Sequence, residues 1–195
     1  GAYSTFEGSP LQQGKFQFDL WDSQPAPCEP TYDWDSLRES IKTHGVMNSL
    51  LVAPMPTAST AQILGNTECF EPITSNIYVR RTLAGEFVVM NKYLQEDLES
   101  INLWNKDIKN SILSHDGSVQ HLSIPQCIKD TYKTVWEISQ KVLIDLAADR
   151  GRFICQSQSL NLFVPEAKFE VVTSMFFYAW KKGLKTGVYY LRTRP

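Results

Sequence analysis

No cysteine in this sequence has a partner at a metal-ligating or redox spacing. Cys28, Cys69, Cys127 and Cys155 stand far apart, with no C-x-x-C and no paired histidines beside them. A zinc site and a secreted disulfide framework are therefore both unsupported, and reduced, mostly structural thiols of a cytoplasmic protein are expected. Histidine is scarce as well. His44, His115 and His121 sit in polar contexts without a second ligand at helical spacing, which assigns them to the surface. Charge of either sign is nearly balanced, with a formal net charge of −2, so no field argues for nucleic acid or an anionic membrane. No apolar run approaches the roughly 20 residues that a spanning helix needs. The sequence begins Gly1-Ala2-Tyr3-Ser4, without an initiator methionine or a signal segment, and reads as the interior of a longer protein. Internal repeats and low-complexity tracts are absent too.

What is present is an ordinary globular composition, 43% hydrophobic over 195 residues, enough for one domain with a real core. Pro25, Pro27 and Pro30 forbid regular structure in residues 23–32, which reads as a surface connection. Asp33 then caps a helix whose face is Trp34, Leu37 and Ile41, with Gly45 at the stop. The almost wholly apolar run 48–55 predicts a strand buried on both faces, as in a parallel sheet. A helical turn over 58–64 ends at Gly65. Residues 76–82 and 87–90 predict two strands around a turn at 83–86. Helices follow from Asn91, with Leu94, Leu98 and Ile101 on one face, and from Asn105 to Gly117. The longest helical pattern starts near Pro125 and closes at Gly151, carrying Ile128, Tyr132, Val135, Val142 and Leu146. Residues 153–164 have strand character, 169–182 helical and 186–192 strand character again. Strands alternating with helices predict an α/β architecture with parallel strands.

Two segments invite chemistry. Residues 56–60, Pro-Thr-Ala-Ser-Thr, fall where the apolar run turns into a helix. Such a turn exposes backbone N–H groups at the positive end of a helix dipole, which suits phosphate. Thr57, Ser59 and Thr60 add hydroxyl donors, and small Ala58 lets an anion approach. No Gly-x-x-x-x-Gly-Lys surrounds them, so this is not a Walker loop. On the residues alone the signal is weak, and a simple helix cap is the more usual account of such a cluster. Tyr189 and Tyr190 are adjacent near a strand end, where alternation places one ring in the core and the other outside.

The run Asn48-Ser-Leu-Leu-Val-Ala-Pro-Met-Pro-Thr-Ala-Ser-Thr-Ala-Gln-Ile-Leu-Gly-Asn66 resembles the large, catalytic subunit of class I ribonucleotide reductases of the eukaryotic and viral type. The likeness recurs in order along the chain. It includes Glu71-Pro72, Thr74-Ser-Asn-Ile-Tyr78, Arg80-Arg81, Tyr132-Lys-Thr-Val-Trp-Glu-Ile-Ser-Gln-Lys141, Gln156-Ser-Gln-Ser-Leu-Asn161 and Leu184-Lys-Thr-Gly-Val-Tyr-Tyr-Leu-Arg-Thr-Arg-Pro195. This resemblance implies that residues 1–195 form the later half of a ten-stranded α/β barrel. It implies that Thr57, Ala58, Ser59 and Thr60 hold the substrate diphosphate, and that Tyr189 and Tyr190 relay a radical to an active-site cysteine. The implied reaction reduces ribonucleoside diphosphates to deoxyribonucleoside diphosphates. Implied partners are the small radical-generating subunit, a second large subunit and a thioredoxin or glutaredoxin. No cofactor is implied within this chain; the metal-based radical belongs to the small subunit, and ATP and deoxynucleotide effectors bind a region aligned before Gly1.

The family's hydrogen-abstracting and reducing cysteines also align before Gly1, and its tail cysteines after Pro195. None of the four cysteines here matches them, so the chain by itself is expected to be inactive. Cys155 stands where the family has Asp, Thr67 and Cys69 where it has Asn and Ser, Phe176 where it has His, and Ala179 where it has Gly. Glu68, Glu71 and Glu137 have no identifiable acid–base partner and read as solvated or capping groups, and Arg80-Arg81 and Lys181-Lys182 as solvated faces. A degenerate homologue kept for protein interactions is the competing reading, against which the intact loop and tyrosine pair weigh. An unrelated phosphate-binding module would confine the likeness to residues 56–60.

Overall fold

The computed structural model describes residues 1–20 and 32–194, so the proline-rich stretch 23–31, with Cys28, lies outside the described residues. After a 3-10 turn at Gln17–Leu20, α1 spans Trp34–His44. The Asp33 carboxylate accepts the Ser36 N–H at 3.0 Å, and Gly45, at φ 71, closes the helix with its N–H on Ile41. The short α2 is Ser59–Ile63. An antiparallel hairpin follows, β1 (Ile77–Thr82) paired with β2 (Gly85–Met90). Helices α3 (Lys92–Ser100) and α4 (Lys106–Ser114) begin where Asn91 and Asn105 accept N–H groups of their first turns. Helices α5 (Gln126–Thr131) and α6 (Gln140–Gly151) lead to β3 (Asn161–Val164), α7 (Phe169–Lys181) and β4 (Tyr190–Thr193). β3 and β4 are parallel, so β3-α7-β4 is a crossover unit of the kind the alternation predicts.

Two apolar clusters hold these elements. In one, Ile77, Leu94, Leu98, Ile112 and Val119 close the hairpin's first residue against α3 and α4. In the other, Val135, Ile144, Ala147, Leu160, Leu162, Phe163 and Ala179 join α6, β3 and α7. Each fully buried Leu or Ile contributes about 1.5–3 kcal/mol relative to exposure.

Several expectations are corrected. Residues 48–55 form no regular strand and are not buried. Leu50, Leu51, Val52 and Met55 are 44–66% exposed. The segment does run extended and parallel to 155–159, since Val52 O accepts from Cys155 N–H at 3.1 Å and Pro54 O from Ser159 N–H at 3.4 Å. What is missing is a full covering layer: among the described residues these side chains are only partly covered. The long helix expected over 125–151 is two helices with a 3-10 turn, Val135–Glu137, between them. Asn76 explains the break. Its Nδ2 donates to Tyr132 O at 2.9 Å, taking the carbonyl that helix propagation needs, and Thr134 with Glu137 forms a capping box that restarts the chain. Strand character at 153–164 is realised only over Asn161–Val164, and at 186–192 only from Tyr190 to Thr193. The α/β class stands. Among the described residues the sheets are two-stranded, and no barrel is closed.

Candidate functional site

The turn at 56–60 is built on an uncommon backbone. Thr57 has φ 62 and Ala58 φ 43 with ψ −125, two consecutive non-glycine residues in the left-handed half of conformational space. Such strain persists only where the surroundings impose it and concentrates at functional loops. Thr60 N–H donates to Thr57 O at 3.1 Å, and Thr57 Oγ1 donates to Pro56 O at 2.7 Å. Among the described residues no acceptor meets the backbone N–H of Thr57, Ala58 or Ser59. Ala58 precedes α2 without a side-chain cap, so the cluster of hydroxyl residues does not act as the simple helix cap that its composition allows. With five residues, α2 has little dipole of its own, so what the turn could offer an anion is its unbonded N–H groups and the hydroxyls of Ser59 and Thr60.

The tyrosine pair departs from strand alternation. Tyr189 lies just before β4, and both rings are about half exposed on one side, with centroids 4.3 Å apart at 56°. Tyr189 N–H donates to Leu160 O at 2.6 Å, whereas Tyr190 N–H donates to the side-chain Oδ1 of Asn161 at 2.9 Å. Hydrogen bonding to Tyr190, and then the charge of that neighbour, holds the Tyr189 phenol above its ordinary range.

Between turn and tyrosines lies a polar cluster that sequence reasoning missed. Asn161 is 3% exposed, the one polar residue in a strand otherwise made of Leu162, Phe163 and Val164. Its Nδ2 donates to Glu71 Oε1 and lies 3.8 Å from Cys69 Sγ. The Cys69 thiol in turn donates to Pro56 O at 3.7 Å. Burial, followed by the nearby Glu71 carboxylate, pushes the Cys69 thiol up from its usual range. Glu71, with a side chain only 10% exposed, faces the Arg192 guanidinium at 3.8 Å, and that guanidinium sits 5.4 Å from the Tyr190 ring centroid. Turn 56–60 and tyrosines 189–190 are thus brought to one neighbourhood, although 128 residues or more separate them in sequence. A cleft of about 350 Å³ between the C-terminal ends of α6 and α7, lined by Arg152, Gln156, Lys181 and Lys185 among others, contains none of these residues.

Comparison with known proteins gives one answer. The model of the ribonucleotide reductase barrel domain matches residues 1–190. The chain belongs to this family. It is 58% identical over 194 residues to the ribonucleoside-diphosphate reductase large chain of Schizosaccharomyces pombe, covering 99% of this chain and 24% of that one. It is 56% identical over 207 residues to the large subunit of Trypanosoma brucei brucei, covering 100% of this chain and 25% of that one. Among solved structures, the alpha subunit of the Actinobacillus ureae class Id ribonucleotide reductase superposes with a TM-score of 0.69 at 34% identity. That match covers 80% of this chain and 28% of that one. The chain therefore spans about a quarter of the length of its curated relatives.

Some of the positions at which the sequence departs from the expected pattern carry polar contacts. Cys69 hydrogen-bonds through sulfur. Thr67 donates its hydroxyl to Glu71 O at 2.6 Å. Cys155 accepts Leu51 N–H at Sγ, 3.3 Å away, while Lys185 Nζ donates to the Ile154 and Cys155 carbonyls at 2.6 and 3.0 Å. Ala179 is fully buried in the α6–α7 core, and the Phe176 ring lies against Gly187. Of the carboxylates, Glu137 caps as expected and Glu68 accepts from Gln62, but Glu71 is neither solvated nor a cap. Arg81 pairs across the hairpin with Glu86 at 2.6 Å on an exposed face. The three histidines are exposed, as expected, and His115 and His121 stack at 3.6 Å. Among the described residues no group of three or more metal-ligating side chains assembles, and no helix is long and apolar enough to cross a membrane.

Proposed function

We propose that this chain supplies the diphosphate-binding turn and the tyrosine relay of a ribonucleoside-diphosphate reductase large subunit. In this reading Thr57, Ala58, Ser59 and Thr60 hold the substrate's phosphoryl oxygens through free backbone N–H groups and hydroxyls. Tyr189 and Tyr190 pass an oxidising equivalent, each phenol losing an electron and a proton together, toward a cysteine that none of the four here represents. The protein is cytoplasmic, pairs with a radical-generating small subunit and a second large subunit, and is re-reduced by a thioredoxin-type protein. The metal-based radical resides in the small subunit, and ATP and deoxynucleotides act as effectors on parts of the large subunit outside this chain.

One observation supports this reading above the others. A strained turn whose N–H groups at 57–59 meet no acceptor among the described residues stands in the same neighbourhood as two adjacent, mutually tilted phenols, linked to them by Cys69 and Asn161. The test uses the full-length large subunit with its small subunit. Tyr189→Phe or Tyr190→Phe should each abolish deoxynucleotide formation while leaving nucleoside diphosphate binding unchanged, because phenylalanine keeps the packing and loses the ionisable phenol. Turnover at the wild-type rate in either variant ends the relay reading. For the turn, adding a nucleoside diphosphate should shift the backbone amide resonances of residues 57–60; unmoved signals would reduce it to a structural bend. A reductase homologue that had lost reduction and only bound partners would be unaffected by either tyrosine change.

A further inference from the structure

We infer that Asn161 is a positioning residue that, together with Cys69, ties the turn at 56–60 to the tyrosine pair, so that occupancy of the turn sets the geometry of the relay. The inference rests on the function proposed above. A buried amide in an apolar strand is costly wherever one of its polar groups is left unpaired. Asn161 pairs both of its ends, and the two ends face different parts of the site. Its Oδ1 holds the Tyr190 backbone N–H at 2.9 Å. Its Nδ2 donates to Glu71 and lies 3.8 Å from Cys69 Sγ, whose thiol is bonded to Pro56 O, the carbonyl immediately before the left-handed Thr57. A second connection runs from Glu71 to Arg192 and from that guanidinium to the Tyr190 ring.

The rest of the strand, Leu162 to Val164, is apolar, so strand burial alone does not call for an amide at this position. Only a side chain with a donor at one end and an acceptor at the other can hold Tyr190 and the turn at once. When phosphoryl groups draw in the N–H groups of Thr57, Ala58 and Ser59, the peptide carrying Pro56 O moves with them. Cys69 and Asn161 carry that displacement to the Tyr190 backbone. Relay steps depend steeply on alignment, and a misplacement of ~1 Å is enough to lose ~10²-fold in rate.

The test uses the full-length large subunit with its small subunit. Asn161→Asp keeps the oxygen that holds Tyr190 N–H but sets a carboxylate against Glu71, cutting the arm toward the turn. Cys69→Ala removes the link at the sulfur, and Cys69→Ser retains a hydroxyl able to make both bonds. Two readouts are needed: kcat against KM for a nucleoside diphosphate, and the radical trapped on 3-aminotyrosine at position 190, read by electron paramagnetic resonance with and without that substrate. Asn161→Asp should lower kcat by ~10²-fold with KM near wild type. The trapped radical should no longer rise on adding substrate. Cys69→Ala should show the same loss of substrate dependence, and Cys69→Ser should restore it. A merely structural Asn161 would leave substrate dependence intact in every variant that folds, and that result overturns the inference. If Asn161→Asp does not fold, the cysteine pair decides: Cys69→Ala equal to Cys69→Ser overturns it. Should Tyr190→Phe retain turnover, the relay itself is wrong; should Tyr190→Phe be dead while Asn161→Asp and Cys69→Ala match wild type, only the coupling is.

Discussion

Asparagine side chains do much of the polar bonding that organises this chain. Asn76 is fully buried, donates to Gly117 O and Tyr132 O at 2.9 Å each, and accepts from Asn91 Nδ2 at 3.0 Å. Replacing it with Leu, which preserves volume, strands the Tyr132 carbonyl and the Asn91 amide, while Gly117 O keeps the backbone N–H of residue 76, and should cost about 2–5 kcal/mol, read as a lowered urea midpoint. A loss below ~1 kcal/mol would mean that water reaches those two groups. Gly117 belongs to the same junction. It has φ +81, and a Cβ there would meet Ser75 Oγ at 1.9 Å and Asn76 N at 2.7 Å, so Gly117→Ala is expected to be at least as damaging. Cys155 is the opposite case. A thiol is a weak acceptor, and Leu51 N–H leans on it at 3.3 Å. Cys155→Asp should gain about 0.5–1.5 kcal/mol by accepting that N–H as a carboxylate close to Lys185, measured by chemical denaturation. The roles of Glu71 and Asn161 were illegible in the sequence, because one lone acidic residue and one amide in an apolar strand acquire partners only when distant segments meet.

At the scale of elements, caps and periodicity were readable and interruptions were not. Asp33, Asn91 and Asn105 announce α1, α3 and α4 because a capping side chain bonds within three residues of itself. The division of α5 from α6 depends on Asn76, 56 residues from the carbonyl that it takes, so the apolar spacing read straight across it. The packing of α6 on α7 ends in an exposed cluster in which Asp145 accepts from Lys182 at 2.7 Å and from Tyr178 at 2.7 Å. The hydrogen bond from Lys182, and then that from Tyr178, holds the Asp145 carboxyl below its ordinary range. Its contribution is therefore complete above the unfolded carboxyl value, near 3.8, and disappears as pH falls through the lower folded value. Asp145→Asn should flatten that part of the acid-denaturation curve by lowering stability at neutral pH while leaving the most acidic end unchanged, and the loss should be small because the pair is largely solvent-exposed.

For the whole molecule, the apolar segment 48–55 is the revealing feature. Leu50, Leu51, Val52 and Met55 stand open beside 155–159, and Ile63 and Leu64 are more than two-thirds exposed. Amides in this segment should exchange within seconds in the 195-residue chain and be protected by orders of magnitude in a full-length reductase large subunit, where further chain can cover it. Equal protection in both would mean that the segment is exposed in the complete subunit too. The sequence by itself determined the α/β class, the starts of α1, α3 and α4, the hairpin and the family, since each of these is encoded in contiguous residues. Only the tertiary structure decided that Tyr189 and Tyr190 face the same side, that Thr57 and Ala58 adopt left-handed backbone, and that Cys69, Glu71 and Asn161 join the two segments. The join depends on contacts that skip along the chain, among them those of Asn161 with Cys69 and Glu71, 92 and 90 positions away, and no local pattern records them.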